Sequence, residues 1–197
     1  MNGKGEQHVT AIHEAGHYVA RAFLGGGTSN VAAVTIVPTD TASGQVVLER
    51  CHDFQILSGG LLPARAAQPL GRRMLMEALA GPAAEARLNG DDALLAYADF
   101  FFCPDWALPR DYLDAGQIVE CLAAPNESAA WIWDSATEWT EDLLSRPDIW
   151  AAIEAVASLL IADGTVDGDD DRLWQTVEPI CDGALRDPTW RRRLRIQ

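Results

Sequence analysis

The chain has 197 residues, 48% of them hydrophobic, and a net charge of −14. Such a length and apolar content suffice for one well-packed domain, and so acidic a chain is a poor match for proteins that track phosphate backbones, which need clustered Lys and Arg. No window reaches the roughly eighteen apolar residues of a membrane span, and MNGKGEQHVT at the start lacks the apolar core of a secretion signal. Nucleic acid and membrane are therefore not expected as partners, and a cytoplasmic location is.

From Gln7 to Leu24, Val9, Ile12, Gly16, Val19, Ala20 and Phe23 recur at three- and four-residue steps, which predicts an amphipathic helix closed by Gly25, Gly26 and Gly27. VAAVTIV (31–37) and QVVLE (45–49), joined by the turn-rich PTDTASG, predict a hairpin or small sheet. SGGLLPARAAQ reads as mixed loop and helix start, and no phosphate-binding G-x-x-x-x-G-K-[ST] occurs.

A helix follows over Leu70–Leu88, with Gly81-Pro82 expected to kink or divide it. NGDDALLAYADFFFCPDWALP reads as a long irregular connection, and a helix resumes over 109–124. The part from 127 to 185 reads as three helical segments separated by Arg146-Pro147 and by DGTVDGDDD. That acidic stretch lacks the ligand order of an EF-hand and is expected to be a solvated loop. Trp131, Trp133, Trp139 and Trp150 are expected to fill the core of this half. Residues 186–197, with TWRRRLRIQ, read as a basic tail: a solvated helix end or a frayed terminus. Cys51, Cys103, Cys121 and Cys181 form no C-x-x-C pair and are expected to be reduced, mostly buried thiols.

The chemistry concentrates in HEAGH, residues 13–17. Side chains four apart on a helix stand on one face, so His13 and His17 can point at a single atom. Glu14 lies about 100° round the helix, within reach of a water at that atom. Random placement of 4 His and 11 Glu yields H-E-x-x-H about 0.005 times in such a chain, so coincidence explains it poorly. Two imidazoles and one further protein ligand are the donor set of catalytic zinc, which keeps an open position for water. By sequence the third ligand is open among Glu77, Glu85, Asp111, Asp114 and His52; Asp111 and Asp114 are also natural first-turn acids. His8 has no partner pattern.

Taken in order, HVTAIHEAGHYVA, VAAVTIVPTDTASG, MEALAGPAAEARLNG and RDYLDAGQIVECL, together with the helical stretch ATEWTEDLLSRPDIWAAIEAVASLLIADGTVDGDD, resemble the zinc metallopeptidase domain of FtsH-type AAA proteases. The likeness runs over roughly residues 6–170. It implies a zinc ion held by His13, His17 and Asp111, with Asp114 as the alternative third ligand, Glu14 as general base and acid, and Glu85 in a supporting role. Gly116 stands where Thr is usual, and three departures stand out: Ala-Leu-Pro-Arg replaces the family's Gly-Ala-Ser-Asn before the aspartate, Pro82 stands where Arg is usual, and no transmembrane segment or AAA module is expected in this chain.

The expected architecture is a single domain over 1–185, α+β and predominantly helical, with a small sheet beside the zinc helix. Its expected function is zinc-dependent, ATP-independent endopeptidase action, since neither a membrane segment nor an ATPase module is seen. The expected partners are peptides or unfolded polypeptides, a partner that delivers them, and other copies of the chain in a homo-oligomer. The alternative is a zinc-bearing regulatory or binding module with little turnover, and a further one a helical scaffold without metal. An extended substrate is expected to add to VAAVTIV or to QVVLE.

Overall fold

The computed structural model describes residues 3–28, 30–39, 43–48, 53–60, 64–91, 94–104, 108–123 and 128–196, without the side chains of 3, 4, 54 and 64–66. In chain order they form α1 (Gly3–Leu24), β1 (Val31–Thr35), β2 (Gln45–Leu48), α2 (Asp53–Ser58), α3 (Ala64–Asn89), α4 (Tyr97–Phe102) and α5 (Arg110–Leu122). There follow α6 (Ala129–Ser145), α7 (Pro147–Asp163), β3 (Thr165–Asp167), α8 (Asp171–Val177), α9 (Gly183–Arg186) and α10 (Pro188–Arg193). The fold is α+β and predominantly helical, with one antiparallel sheet in the order β2-β1-β3.

The first helix is the axis of the molecule. Ala11, Ile12, Ala15, Tyr18, Val19, Ala22 and Phe23 are all buried, and α1 packs most extensively against α3 and α7. The crossing with α3 is close because Gly16 has no side chain: a Cβ there would stand 2.7 Å from the Ala80 carbonyl oxygen. Gly25 ends α1 at φ 79°, in the left-handed conformation that suits glycine. Beyond it, buried Arg21 donates to the carbonyls of Gly26 and Gly27 and to the Glu77 carboxylate, at 2.8 Å for the last. Arg73 joins the same carboxylate to Asp53 of α2, so one ion-pair network ties the end of α1 to α2 and α3.

Several expectations are corrected. Gly81-Pro82 does not divide α3, which is a single helix from Ala64 to Asn89. Leu75, Met76 and Leu79 before the pair and Ala83 and Ala84 after it are all buried, and that continuous packing outweighs the cost of about 3 kcal/mol for an interior proline. The acidic stretch DGTVDGDDD supplies a strand: Val166 is buried opposite Val34, and the hydroxyls of Thr35 and Thr165 meet at 2.6 Å. Within the expected irregular connection, α4 forms because Phe100 stacks on Trp133 with centroids 4.5 Å apart. Phe100 also covers Gly116, where any Cβ would collide with its ring.

Of the four tryptophans assigned to the core, only Trp133 is fully buried. Trp131 is exposed, and Trp139 and Trp150 are half-buried, their faces covered by guanidinium groups. Arg72 lies over Trp131 and Trp139, and Arg87 over Trp150. The basic terminus is helical and docked: Trp190 and Leu194 are buried, and Arg193 pairs with Asp142. Among the described cysteines, Cys103 and Cys181 are half-buried and Cys121 exposed, so they are free thiols but not core residues. Cys51, His52 and Ala107 lie outside the described residues. No described helix is long and apolar enough to cross a membrane.

Candidate metal centre

Three elements converge on one point. The first is α1, whose helical repeat puts His13 and His17 on the side facing α3. Helix α3 then fixes both rings from behind: His17 Nδ1 donates to the Glu77 carbonyl at 2.7 Å, and His13 Nδ1 meets Glu85 Oε2 at 3.1 Å. With Nδ1 engaged on each ring, the Nε2 atoms are the ones left to face a common centre. They lie 3.2 Å apart. The third element, α5, brings its first-turn residue Asp111, with Oδ2 at 3.0 Å from His13 Nε2 and Oδ1 at 3.4 Å from His17 Nε2.

All three side chains offer ligand atoms within 4.8 Å of one another. A tetrahedral ion with bonds of about 2.0–2.1 Å spaces its ligands about 3.3–3.4 Å apart, and the separations seen here, 3.0–3.4 Å, are close to that. Room for the ion depends on Gly81. A Cβ there would stand 2.7 Å from His13 Nε2 and closer still to His17 Nε2. Donor set, spacing and clearance all fit zinc. Gly81→Ala should consequently cost zinc affinity by at least about tenfold while the chain stays folded, read by competition with a chromogenic chelator beside a circular dichroism melt. Unchanged affinity would remove Gly81 from the site.

The other candidates are placed elsewhere. Glu77 spends its carboxylate on Arg21 and Arg73 and serves His17 through its backbone. Asp114 pairs with exposed Arg110 at 2.9 Å, one turn beyond Asp111. His8 is exposed, and His52 is not described. Glu85 stays beside the cluster, its carboxylate 3.1 Å from His13 Nδ1.

Glu14, buried to 5% exposure, lines the same cleft as the three ligand candidates. Gly44 packs directly on it: a Cβ at 44 would be 2.8 Å from Glu14 Cγ. The cleft holds about 1810 Å³ and is bounded by α1, α3, α5 and strand β2. Sequence reasoning missed Gly44, Gly81 and the Glu77 carbonyl. The one signal available was a glycine inside a helix, which is costly unless another group comes close.

No family model matches the chain, and no curated protein matches it.

Protonation in the metal-free chain follows from the geometry. Burial, the strongest influence on His13, works against its charge, but carboxylates on both ring nitrogens outweigh it and push its pKa up to about 10. Desolvation opposes charge on His17 as well, and Asp111 raises it in the same way. Burial raises Glu14. Asp111 is opposed by burial yet held well below the usual carboxylate range by hydrogen bonds to the two histidines.

The signs then set a pH dependence. Raised histidines stabilise the fold fully below their ordinary value of 6.5 and lose that contribution as pH climbs toward the native value, about 10 for His13. Asp111 contributes above its ordinary 3.8 and loses it only as pH falls through its depressed native value. A raised Glu14 makes ionisation above 4.5 costly. With chelator present, the melting temperature should therefore be higher at about pH 6 than at about pH 8. Zinc should raise it more at the higher pH, because the ligands must shed protons to bind. A metal-free melting temperature that rises between those two pH values would contradict this account.

Proposed function

We propose that the chain is a zinc-dependent endopeptidase acting on extended or unfolded polypeptides. One observation carries the reading: two imidazoles, locked through Nδ1, turn Nε2 toward Asp111 in an open cleft that Glu14 also lines. His13, His17 and Asp111 would hold the ion. When bound, zinc supplies the Lewis acidity that polarises a carbonyl and lets water lose a proton near neutral pH. Glu14 takes that proton and returns it to the leaving amine, and its burial raises its proton affinity toward the range a general base needs. The likeness of the motifs to those of the FtsH-type peptidases supports the same assignment.

Substrate alignment falls to β2. Since β1 is paired on both sides, β2 is the one of the two strands foreseen in the sequence with an edge left unpaired among the described residues, and Gln45, Val46 and Leu48 line the cleft. An extended chain can add there through backbone hydrogen bonds. N–H groups alternate sides along a strand, so of Val46→Pro and Val47→Pro one should raise KM without lowering the melting temperature. If neither changes KM, alignment on β2 is wrong.

The overall test is zinc per chain together with cleavage of a library of unstructured peptides, before and after chelation. One zinc per chain and chelator-sensitive cleavage are expected. Zinc without cleavage would favour the binding-module alternative.

A further inference from the structure

Glu6, Thr10, His13, His17 and Arg21 follow one another on α1 at steps of three and four, and all five line the cleft. At 1.5 Å per residue this stripe is about 22 Å long, the length of six or seven residues of extended chain. Arg21 meets Glu77 and His13 meets Glu85, so α3 runs antiparallel to α1 along the cleft, with Glu85 toward the Glu6 end. The two ends differ in charge. At the Arg21 end, Arg21 and Arg73 are matched by Glu77 and Asp53 in a neutral network. Beside Asp111, Arg110 is matched by Asp114 at 2.9 Å. A bound zinc ion would offset Glu14 and Asp111, and a ligating imidazole is neutral, so Glu85 keeps its charge beside His13. Among the described cleft residues, Glu6 and Glu85 are then the charges left without a matching cation. Both reach solvent: Glu6 is exposed, and the Glu85 side chain is 41% exposed.

We propose that the cleft selects cationic polypeptides, with Glu6 pairing a Lys or Arg side chain of the segment and Glu85 adding to the same field. This rests on the peptidase reading and names its substrate class. Glu6 stands nine residues from the midpoint of the histidine pair, about 13 Å along the helix, which is about four residues of extended chain. The basic residue therefore belongs about four positions from the bond presented to the metal centre, and on one side of it, because the opposite end of the cleft is neutral. Low-dielectric walls focus the field of the two carboxylates into the cleft, and the net charge of −14 draws cations toward the molecule as a whole.

The test has two readouts. The first is binding to zinc-loaded chain carrying Glu14→Gln, probed with end-blocked, unstructured decapeptides that hold one Lys, Gln or Glu in an otherwise uncharged sequence. Lys should bind about two- to fivefold tighter than Gln, the range of an exposed ion pair, and Glu more weakly than either. The advantage should shrink as salt is raised. Glu6→Gln should abolish it, whereas Glu178→Gln, which removes an exposed acid outside the cleft, should leave it in place. The second readout is the cut-site profile of a mixed peptide library with Glu14 intact, where Lys and Arg should be enriched about four residues from the cut on one side, and evenly spread with Glu6→Gln. An acid that merely supports the first turn of α1 would alter melting temperature on replacement and leave both readouts unchanged. That result would overturn the proposal, as would equal binding of the three peptides, failure of all of them to bind, or a Lys advantage lost equally with Glu178→Gln. Cleavage with no preference for Lys or Arg would sink the charge selection and leave the peptidase reading intact. Lys-selective binding that depends on Glu6, without any cleavage, would do the reverse.

Discussion

Glu14→Gln should leave zinc at one per chain and cut peptide hydrolysis by about 10²–10⁴-fold, the usual worth of a positioned general base. The substitution keeps the shape of a buried side chain that packs against Gly44, so the cleft should be preserved. It removes only the ability to accept a proton. Because Glu14 is not among the three converging ligand atoms, metal content should be indifferent to it. Full hydrolysis by the Glu14→Gln chain would refute the mechanism whatever its zinc content, and loss of zinc would show that Glu14 is a ligand.

The second large effect is expected at Asp111. Asp111→Ala removes one of three donors and leaves His13 and His17 without the carboxylate that faces both. Zinc should fall from one per chain to near zero under dialysis that leaves the unsubstituted chain loaded, and hydrolysis should fall with it. Asp114→Ala is the matched control, because Asp114 is paired with exposed Arg110 and does not join the cluster. It should keep its zinc. The opposite pattern would move the third ligand by one turn of α5.

How far the sequence foretold this site depends on the range of the forces involved. The pairing of His13 with His17 is local, fixed by 3.6 residues per turn, and legible from five letters. Asp111 is 98 residues from His13. Spacing alone left it among five candidates, and only the order of motifs singled it out. Strand β3 could not be read, because three residues become a strand only by pairing with β1. Phe100, Phe101 and Phe102 carry no periodicity, and α4 exists because Trp133 and Gly116 receive one of those rings. The basic terminus misled because four arginines obscured the one tryptophan that anchors it.

The burial of α1 has one further consequence. Its apolar face is sealed against α3 and α7 by residues other than His13 and His17, and its far end is clamped by Arg21. The histidines therefore ride on one of the last segments to open in native-state hydrogen exchange. On the zinc reading the ion would be an exchangeable part, and chelated protein should take up zinc by simple addition, without passing through an unfolded chain.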